Sequence, residues 1–413
     1  MNISTERTSK CIRAAAAYAA TTVFWLGLQC IASAAPQCPV VRYDAQSTGR
    51  ASAGVYDPTF EWSVAANSPT TPVIGSDGTF YFGTADRCFY AYTGAGAVKW
   101  MYRTDANIAG NAAIAGDGSV YLGVTGRLIA LTNTGVEKWS SPFKFTSTAT
   151  PGSILVDSSG TAYFGADDKR MYAVNPDGTL KWSCLTGGAI RYGLSMSPDG
   201  STVYATSSDG RAYAVNSANG AMRWISSAIA PVYNCAVADD GSIYVGSMSG
   251  KVYAFSANGT QQWTFQMQSK ATCAPAVSRD GTVYIGSQDM NLYALDPTGH
   301  EKWYYRTGGP LYSAPTLDSN GSVIFGAWPG TLCGLDPVDG AIEWSRNLGA
   351  TMYAPPIVDQ MGSIYAVCTN GAIMKYSSTP GPAETPEPSA LSGLGILLAA
   401  LSAKSLVRFR RKA

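Results

Sequence analysis

The chain has 413 residues, of which 46% are hydrophobic and only 14% are charged, and its formal net charge is +1. This composition excludes an intrinsically disordered protein, which would be rich in charged residues and poor in aromatic ones. Both ends are basic, so the middle of the chain is mildly acidic and lacks the basic surface that nucleic-acid binding needs. We therefore expect no nucleic-acid partner.

The N-terminus is organised like a secretory signal peptide. Lys10 and Arg13 precede an apolar segment over residues 14–31, which ends in small residues. This order predicts a signal peptide over residues 1–34, followed by a short N-terminal segment over residues 35–54. An uncleaved N-terminal membrane anchor is the alternative interpretation of the same pattern.

Tryptophans recur through the body of the chain at intervals of 38 to 43 residues. They are Trp62, Trp100, Trp139, Trp182, Trp224, Trp263, Trp303 and Trp344. Seven of the eight stand four residues after a glycine, in a Gly-x-x-x-Trp unit. A period of about 40 residues is typical of radial or solenoid repeats.

Each period contains four short β-rich segments separated by turns of Gly, Asp, Asn and Pro. In the unit over residues 274–305, for example, the turns fall at residues 280–281, 288–289 and 296–299. Such a unit predicts a four-stranded antiparallel sheet, in which glycine supplies the positive φ of a tight hairpin. Because an isolated sheet of this kind would expose two apolar faces, we expect the units to stack radially as a β-propeller.

The number of blades follows from the register of the repeat. The pattern of the second strand, in which tyrosine usually stands between apolar residues, occurs eight times. The last unit ends at Tyr376 without a tryptophan-bearing strand, whereas an unpaired strand around Trp62 precedes the first unit. Placing that strand in the last blade predicts an all-β, eight-bladed propeller over residues 55–377, closed by an N-terminal strand.

These units resemble the PQQ-binding-like propeller repeat, in which the tryptophan of the outer strand packs between adjacent blades. The resemblance implies this blade-docking role for the eight tryptophans. The best-known members are quinoprotein dehydrogenases, which hold PQQ beneath a disulfide between adjacent cysteines, with a Ca²⁺ site and a catalytic aspartate. This sequence has no adjacent cysteine pair and no Cys-x-x-Cys-His haem site. We therefore expect no cofactor, no metal and no catalytic residue.

Other enzyme classes find little support in the sequence. The carboxylate pairs at residues 167–168 and 239–240 fall at predicted turns, where we interpret them as solvated turn residues. The single histidine, His300, follows the glycine of a predicted turn and cannot form a His-rich metal site. A glycosidase needs only two facing carboxylates, so that class stays open.

Four tyrosines recur at the predicted start of an innermost strand: Tyr192, Tyr233, Tyr312 and Tyr353. In a propeller this position lies at one mouth of the central channel. Tyrosine there offers an aromatic face and a hydroxyl group, which suit a sugar or a loop of a partner protein. The alternative is that these side chains merely fill the narrowing channel.

The C-terminus has three parts in a fixed order. A linker over residues 378–389 contains a Pro-Glu-Pro motif, and residues 390–413 form an apolar segment with a basic end. The apolar segment is long enough for one transmembrane helix whose basic tail stays in the cytoplasm. The motif residues are Pro386, Glu387, Pro388, Arg408, Arg410 and Arg411.

This order resembles the PEP-CTERM sorting signal of proteins exported by Gram-negative bacteria, many of which make exopolysaccharide. The resemblance implies an exosortase as a partner, membrane anchoring through the C-terminal helix before processing, and release to the cell surface or extracellular matrix after it. An ordinary single-span membrane tail is the alternative.

Together these patterns favour an exported, non-catalytic propeller that acts as a binding or scaffold module for exopolysaccharide or envelope proteins. One alternative is an envelope assembly factor resembling the propeller subunit of the outer-membrane barrel assembly machinery. A second alternative is a PQQ-dependent oxidoreductase.

Overall fold

The structure is a computed structural model that describes residues 49–378, except Ser147 and Pro231, and leaves the side chains of residues 232–234 undescribed. The predicted signal peptide, sorting motif and transmembrane helix lie outside the described residues. Within residues 49–378, no helical segment has the length and hydropathy needed to cross a bilayer.

The described residues form eight four-stranded sheets, which are the blades of a propeller and are numbered 1–8 in the chain order of their innermost strands. The innermost strands are β2 (Val73–Ile74), β6 (Ala113–Ile114), β10 (Leu155–Val156), β14 (Ser195–Met196), β18 (Val232–Val237), β22 (Ala276–Val277), β26 (Thr316–Leu317) and β30 (Ile357–Val358). The second strands are β3 (Phe80–Gly83), β7 (Val120–Val124), β11 (Ala162–Gly165), β15 (Thr202–Thr206), β19 (Ile243–Ser247), β23 (Val283–Gly286), β27 (Val323–Ala327) and β31 (Ile364–Val367).

The outer half of each blade consists of two further strands. The third strands are β4 (Cys88–Tyr92), β8 (Arg127–Leu131), β12 (Arg170–Val174), β16 (Ala212–Asn216), β20 (Lys251–Phe255), β24 (Asn291–Leu295), β28 (Thr331–Leu335) and β32 (Ala372–Ser377). The outermost strands are β5 (Val98–Arg103), β9 (Phe143–Lys144), β13 (Leu180–Leu185), β17 (Met222–Ile225), β21 (Gln261–Gln266), β25 (Glu301–Arg306), β29 (Ile342–Asn347) and, for blade 8, β1 (Thr59–Ala65).

The ring is closed by strands from opposite ends of the chain. In blade 8 the order is β1-β32-β31-β30, and β1 pairs antiparallel with β32 so that Thr59 faces Ser377 and Ala65 faces Ala372. The other seven blades each consist of four consecutive strands. The prediction of eight antiparallel blades, closed by the strand that carries Trp62, is therefore confirmed.

Burial decreases from the channel to the rim of each blade. In blade 6, every residue of β23 and β24 is buried, because neighbouring blades cover both faces of these strands. In β25, most residues are exposed and Trp303 is buried, because only one face of the outermost strand is covered. Tyr284 in β23 is packed 5.7 Å from the Trp303 ring, measured between ring centroids.

Seven tryptophans join adjacent blades in the same way. Each indole N–H donates a hydrogen bond of 2.8–3.2 Å to a carbonyl oxygen in the turn between the third and fourth strands of the next blade. Each ring covers the repeat glycine of that turn; a Cβ on Gly299, for example, would lie 2.6 Å from the Trp263 ring. Gly299 also has a φ of 89°, so both its backbone and its closeness to the ring require glycine.

Trp344, the eighth tryptophan, lacks this contact. Its indole nitrogen is buried and has no hydrogen-bond partner among the described residues. The Trp344 ring instead lies over Gly334 in β28, where a Cβ added to the glycine would be 2.4 Å from the ring. In the second strand of the same blade, Ile324 occupies the position at which the other seven blades have tyrosine. The cause is topological, because the third and fourth strands of blade 8 come from opposite chain ends and no turn joins them.

Residues 49–58, which we name the N-terminal strap, run from the inner edge of blade 7 to the start of β1. Ala51 N donates to Leu317 O at 2.6 Å and Leu317 N donates to Gly49 O at 2.7 Å, so the strap adds a short parallel pairing to β26. Arg50 makes two hydrogen bonds, of 2.8 and 2.6 Å, to Asp239 of blade 5.

Strand direction alternates within a blade, so the connections fall on two faces. The hairpin face carries the turns between first and second strands and between third and fourth strands. The crossover face carries the turns between second and third strands, together with the connections from each outermost strand to the next innermost strand. Neighbouring connections are bonded to each other: Ser217 N donates to Ser201 O at 3.0 Å on the hairpin face, and Thr369 N to Thr351 O at 2.8 Å on the crossover face.

Candidate functional site

The four predicted tyrosines belong to the connections of the crossover face. Tyr192, Tyr312 and Tyr353 precede innermost strands and are 39%, 47% and 38% exposed. Tyr233 lies in β18, and its side chain is outside the described residues. The Tyr353 hydroxyl donates to Pro69 O, and burial raises the pKa of Tyr353 to about 12, so this residue is an uncharged donor near neutral pH. A binding role for these tyrosines stays a prediction.

Sequence reasoning missed a further aromatic residue on this face. Trp328, in the turn between β27 and β28, is 50% exposed. It lies outside the Gly-x-x-x-Trp units, so the search for repeating tryptophans passed over it. The signal that would have found it is a departure from the repeat, because the corresponding turns of the other seven blades contain no aromatic residue.

Trp328 lies between the connections that carry Tyr312 and Tyr353. The Trp328 side chain packs on Gly309, so closely that a Cβ added to this glycine would be 2.7 Å from the Trp328 Cβ. Gly309 belongs to the connection that contains Tyr312. Thr351 Oγ1, two residues before Tyr353, donates to Pro329 O at 3.3 Å. The three aromatic residues therefore stand on three segments that contact one another in sequence around blades 7 and 8.

These segments are part of a larger surface without charge. We name as the uncharged sector the five crossover-face segments 66–72, 307–315, 328–330, 348–356 and 368–371, none of which contains Asp, Glu, Lys, Arg or His. Backbone hydrogen bonds join them, as in the 2.8 Å bond from Ala66 N to Gly371 O. The sector covers the crossover face of blades 7 and 8 and the neighbouring connection to blade 1.

Four of the six other turns between second and third strands carry charged residues, and the carboxylates of three of these turns serve the fold. Asp168, Asp209 and Asp289 each accept a hydrogen bond from the hydroxyl of the tyrosine four residues later. Asp167 pairs with Arg191, their Oδ1 and Nε atoms being 2.8 Å apart. The turn placement of residues 167–168 agrees with the sequence interpretation, but these carboxylates are bonded to protein groups rather than simply solvated.

Two cavities lie outside the uncharged sector. One, of about 370 Å³, opens on the hairpin face between the strap and blades 6 and 7, and its charged lining residues are Arg50, Arg279, Asp280, Lys302 and Asp318. The other, of about 210 Å³, lies on the outer part of blade 6 and is lined by Gln268, Asp289, Asn291, Tyr293, Glu301, Tyr304 and Arg306. Most of the charged groups in both cavities already have protein partners.

Asp318 shows how the hairpin-face cavity is used by the fold. Its carboxylate accepts hydrogen bonds from the backbone N–H groups of Val55, Asn320 and Ser322 at 2.8–2.9 Å. Burial raises the pKa of Asp318, although the same three N–H groups act in the opposite direction. Asp318 therefore anchors the N-terminal strap.

The metal-ligating side chains of the described residues are not clustered. No three His, Cys, Asp or Glu side chains between residues 49 and 378 lie close enough together to hold a metal ion. His300 is exposed at a turn of blade 6, and its Nδ1 lies 2.8 Å from Thr298 Oγ1. Because the sequence also lacks adjacent cysteines, we derive no chemistry through PQQ.

Comparison with known proteins identifies the family. Residues 109–234 and 228–401 match the family described as outer membrane protein assembly factor BamB. The chain belongs to this family. No curated protein matches the chain in sequence.

Solved structures share the fold of this BamB-family chain at low sequence identity. BamB from Moraxella catarrhalis is 18% identical with a TM-score of 0.65, over 78% of this chain and 99% of that chain. Quinohemoprotein alcohol dehydrogenase from Comamonas testosteroni is 15% identical with a TM-score of 0.66, over 86% and 82%. A europium-containing methanol dehydrogenase is 13% identical with a TM-score of 0.65, over 80% and 89%. These likenesses establish the fold and leave the activity open.

Proposed function

We propose that this protein is a non-catalytic binding module of the cell envelope and that its ligand site is the uncharged sector of the crossover face. The observation that carries the proposal is the exposure of Trp328, Tyr312 and Tyr353 on neighbouring segments. Exposed aromatic residues that cluster on one face are typical of recognition surfaces rather than of a folded core.

The engagement of the carboxylates also supports binding over catalysis. A hydrolase needs carboxylates or a nucleophile that face a substrate. In this chain, Asp157 and Asp359 accept hydrogen bonds from tyrosine hydroxyls on the hairpin face, and Asp318 holds the strap. These groups satisfy backbone and tyrosine donors, which accounts for their presence without a reaction.

The proposed location follows from the order of the terminal segments. Export through the signal peptide, sorting by an exosortase at Pro386–Pro388 and release to the cell surface or matrix would place the propeller where exopolysaccharide and envelope proteins are its candidate partners. Membership of the BamB family favours a second candidate, an envelope assembly factor that acts on outer-membrane proteins. The intact mass of the protein from the envelope and from the medium distinguishes processed from anchored forms.

A site-specific photo-crosslinker tests the proposed site. The crosslinking amino acid replaces Tyr312 in one variant and Val338, which is 77% exposed on the hairpin face, in a matched control. We expect adducts in intact cells from position 312 and few from position 338. Equal labelling at both positions, or none at position 312, would contradict a ligand site on the crossover face.

The enzymatic alternative has its own test. Purified protein is supplied with PQQ and Ca²⁺ and assayed for reduction of an artificial electron-accepting dye with a panel of alcohols. We expect no dye reduction above that of the free cofactor. Turnover that requires the protein would replace the binding proposal with an oxidoreductase.

A further inference from the structure

We infer that the uncharged sector binds an uncharged polysaccharide chain, whose sugar rings stack on Trp328, Tyr312 and Tyr353. The inference rests on the proposed function and names the ligand class of the same surface. Three features of the sector favour such a ligand: its exposed apolar groups are aromatic, its five segments carry no charge, and the segments are bonded to one another.

The exposed apolar surface of the sector is aromatic, whereas its large aliphatic residues are buried. Leu311, Leu348 and Met352 are only 1%, 4% and 1% exposed. A groove for an amphipathic helix needs exposed aliphatic groups that interdigitate with the helix. A pyranose ring instead presents a flat C–H face and a polar edge, which match an aromatic side chain with an N–H or O–H at its rim.

The polar groups of the sector are neutral. Asn67, Ser68, Thr369 and Asn370 are exposed on segments that are hydrogen-bonded to the segment of Tyr353. Amide and hydroxyl groups donate and accept hydrogen bonds, as the hydroxyls of a neutral sugar also do. None of the five segments offers a cation to compensate a carboxylated or sulfated chain for the hydration it would lose there. The lack of charge therefore selects uncharged sugars over anionic ones.

Trp328 and Tyr353 are held in place before any ligand arrives. Trp328 packs on Gly309, the Tyr353 hydroxyl is bonded to Pro69 O, and Thr351 joins the two neighbouring segments. Fixed side chains lose little conformational entropy on binding. Because the three residues follow successive connections around blades 7 and 8, they suit several residues of a chain better than one sugar.

Affinity gel electrophoresis tests this inference. The native protein is purified from the cell envelope and run in gels that contain a polysaccharide, and the retardation of its band is measured. Hydroxyethylcellulose, dextran and xyloglucan are the uncharged probes, and polygalacturonate is the anionic probe. We expect at least one uncharged probe to retard the protein, and we expect the retardation to persist from about 0.05 M to about 0.5 M salt, since screening affects only charged contacts.

Two variants locate the binding. Trp328→Ala is expected to weaken binding about tenfold, the loss of about 1.4 kcal/mol of stacking. Tyr312→Ala provides an independent substitution if Trp328→Ala unfolds the turn. Tyr304→Ala is the matched control, because Tyr304 is 58% exposed on β25 outside the sector and its loss should change nothing.

Several outcomes would overturn the inference and leave the proposed function intact. If no uncharged probe retards the protein while crosslinking at position 312 captures a protein, the ligand is a protein. If only polygalacturonate retards it, or if Tyr304→Ala weakens binding as much as Trp328→Ala, the uncharged sector is not a site for neutral sugars. Loss of both retardation and crosslinking would also reject the proposed function.

Discussion

The junction between blades 7 and 8 differs from the seven other junctions of the ring. At a regular junction, such as that between blades 6 and 7, Trp303 donates a 3.0 Å hydrogen bond to Pro337 O and packs on Gly340. At the junction between blades 7 and 8, which we name the closing junction, the Trp344 indole N–H has no hydrogen-bond partner among the described residues. There the stabilising contacts come from distant parts of the chain, since β1, β32 and the strap take over the role of a local turn.

The ring therefore contains two kinds of blade junction. A regular junction is encoded in about 40 consecutive residues and repeats with the sequence. The closing junction depends on contacts between residues hundreds of positions apart, such as the bond from Val55 N to Asp318, which are 263 residues apart in the chain. The uncharged sector lies on blades 7 and 8, so the junction that departs from the tryptophan pattern and the candidate binding surface belong to the same two blades.

Removing residues 49–64 should destabilise the ring more than any other change considered. The deletion removes the strap and nearly all of β1, including five of the six positions that pair with β32. We expect the Tm to fall by about 10 °C or more, because a loss of 1 kcal/mol shifts the Tm of a domain this large by about 2 °C. Thermal unfolding followed by circular dichroism measures the change; an unchanged Tm would show that β1 does not close the ring.

Tryptophan-to-phenylalanine substitutions compare the two kinds of junction directly. Trp303→Phe loses a hydrogen bond and leaves the Pro337 carbonyl without this donor, at a cost of about 1–3 kcal/mol. Trp344→Phe loses no hydrogen bond and removes a buried N–H that lacks a partner among the described residues. We expect Trp344→Phe to be less destabilising by about 1 kcal/mol in urea denaturation. Equal losses would contradict the structural difference between the junctions.

The pH dependence of stability should have opposite signs for two aspartates, one in the closing region and one in a regular blade. Burial raises the pKa of Asp318, which holds the strap. This shift therefore adds to the free energy of unfolding below pH 3.8, and the added stability is lost as the pH rises and the buried carboxyl ionises. For Asp117 in blade 2, burial alone would raise the pKa, but hydrogen bonds from Lys138 and Ser119 lower it to about 2. This shift adds to the free energy of unfolding above pH 3.8, and the added stability is lost as the pH falls below that value.

Asparagine substitutions measure these two slopes. The stability of Asp318→Asn relative to the unsubstituted protein should improve as the pH rises above about 4, because the variant has no buried carboxylate to ionise. The relative stability of Asp117→Asn should be lowest near neutral pH and should approach that of the unsubstituted protein near about pH 2. Urea denaturation across this pH range gives both slopes, and slopes of the same sign would contradict the assignment.

The smallest effect is expected for the ion pair of the strap. Arg50 and Asp239 are bonded at the surface, and the Asp239 side chain is 61% exposed. Arg50→Ala should therefore cost about 1 kcal/mol or less, and the cost should shrink at high salt. Lys138→Ala, which breaks the comparable Lys138–Asp117 pair of a regular blade, is the matched control. A loss several times larger for Arg50→Ala would show that the pair holds the strap in place.

The sequence was sufficient to predict the parts of the structure that repeat. The spacing of the tryptophans and the glycine turns predicted eight blades and the closing strand, because each signal is local and occurs many times. The strap could not be predicted in this way, since Arg50 and Asp239 are 189 residues apart and nothing near either residue indicates the other. Trp328 and the uncharged sector also escaped notice, because the sector combines five short segments that only the closed ring brings together.

The pairing of β1 with β32 has a mechanical consequence. Thr59 and Ser377 are opposite each other at one end of the ladder, and the chain continues from both at that end. A force that pulls these two ends apart would load the hydrogen bonds one after another, as in a zipper, instead of all at once, as in shear. Once the strap is detached, the ring would therefore open by peeling at low force, starting at the same seam that closes it.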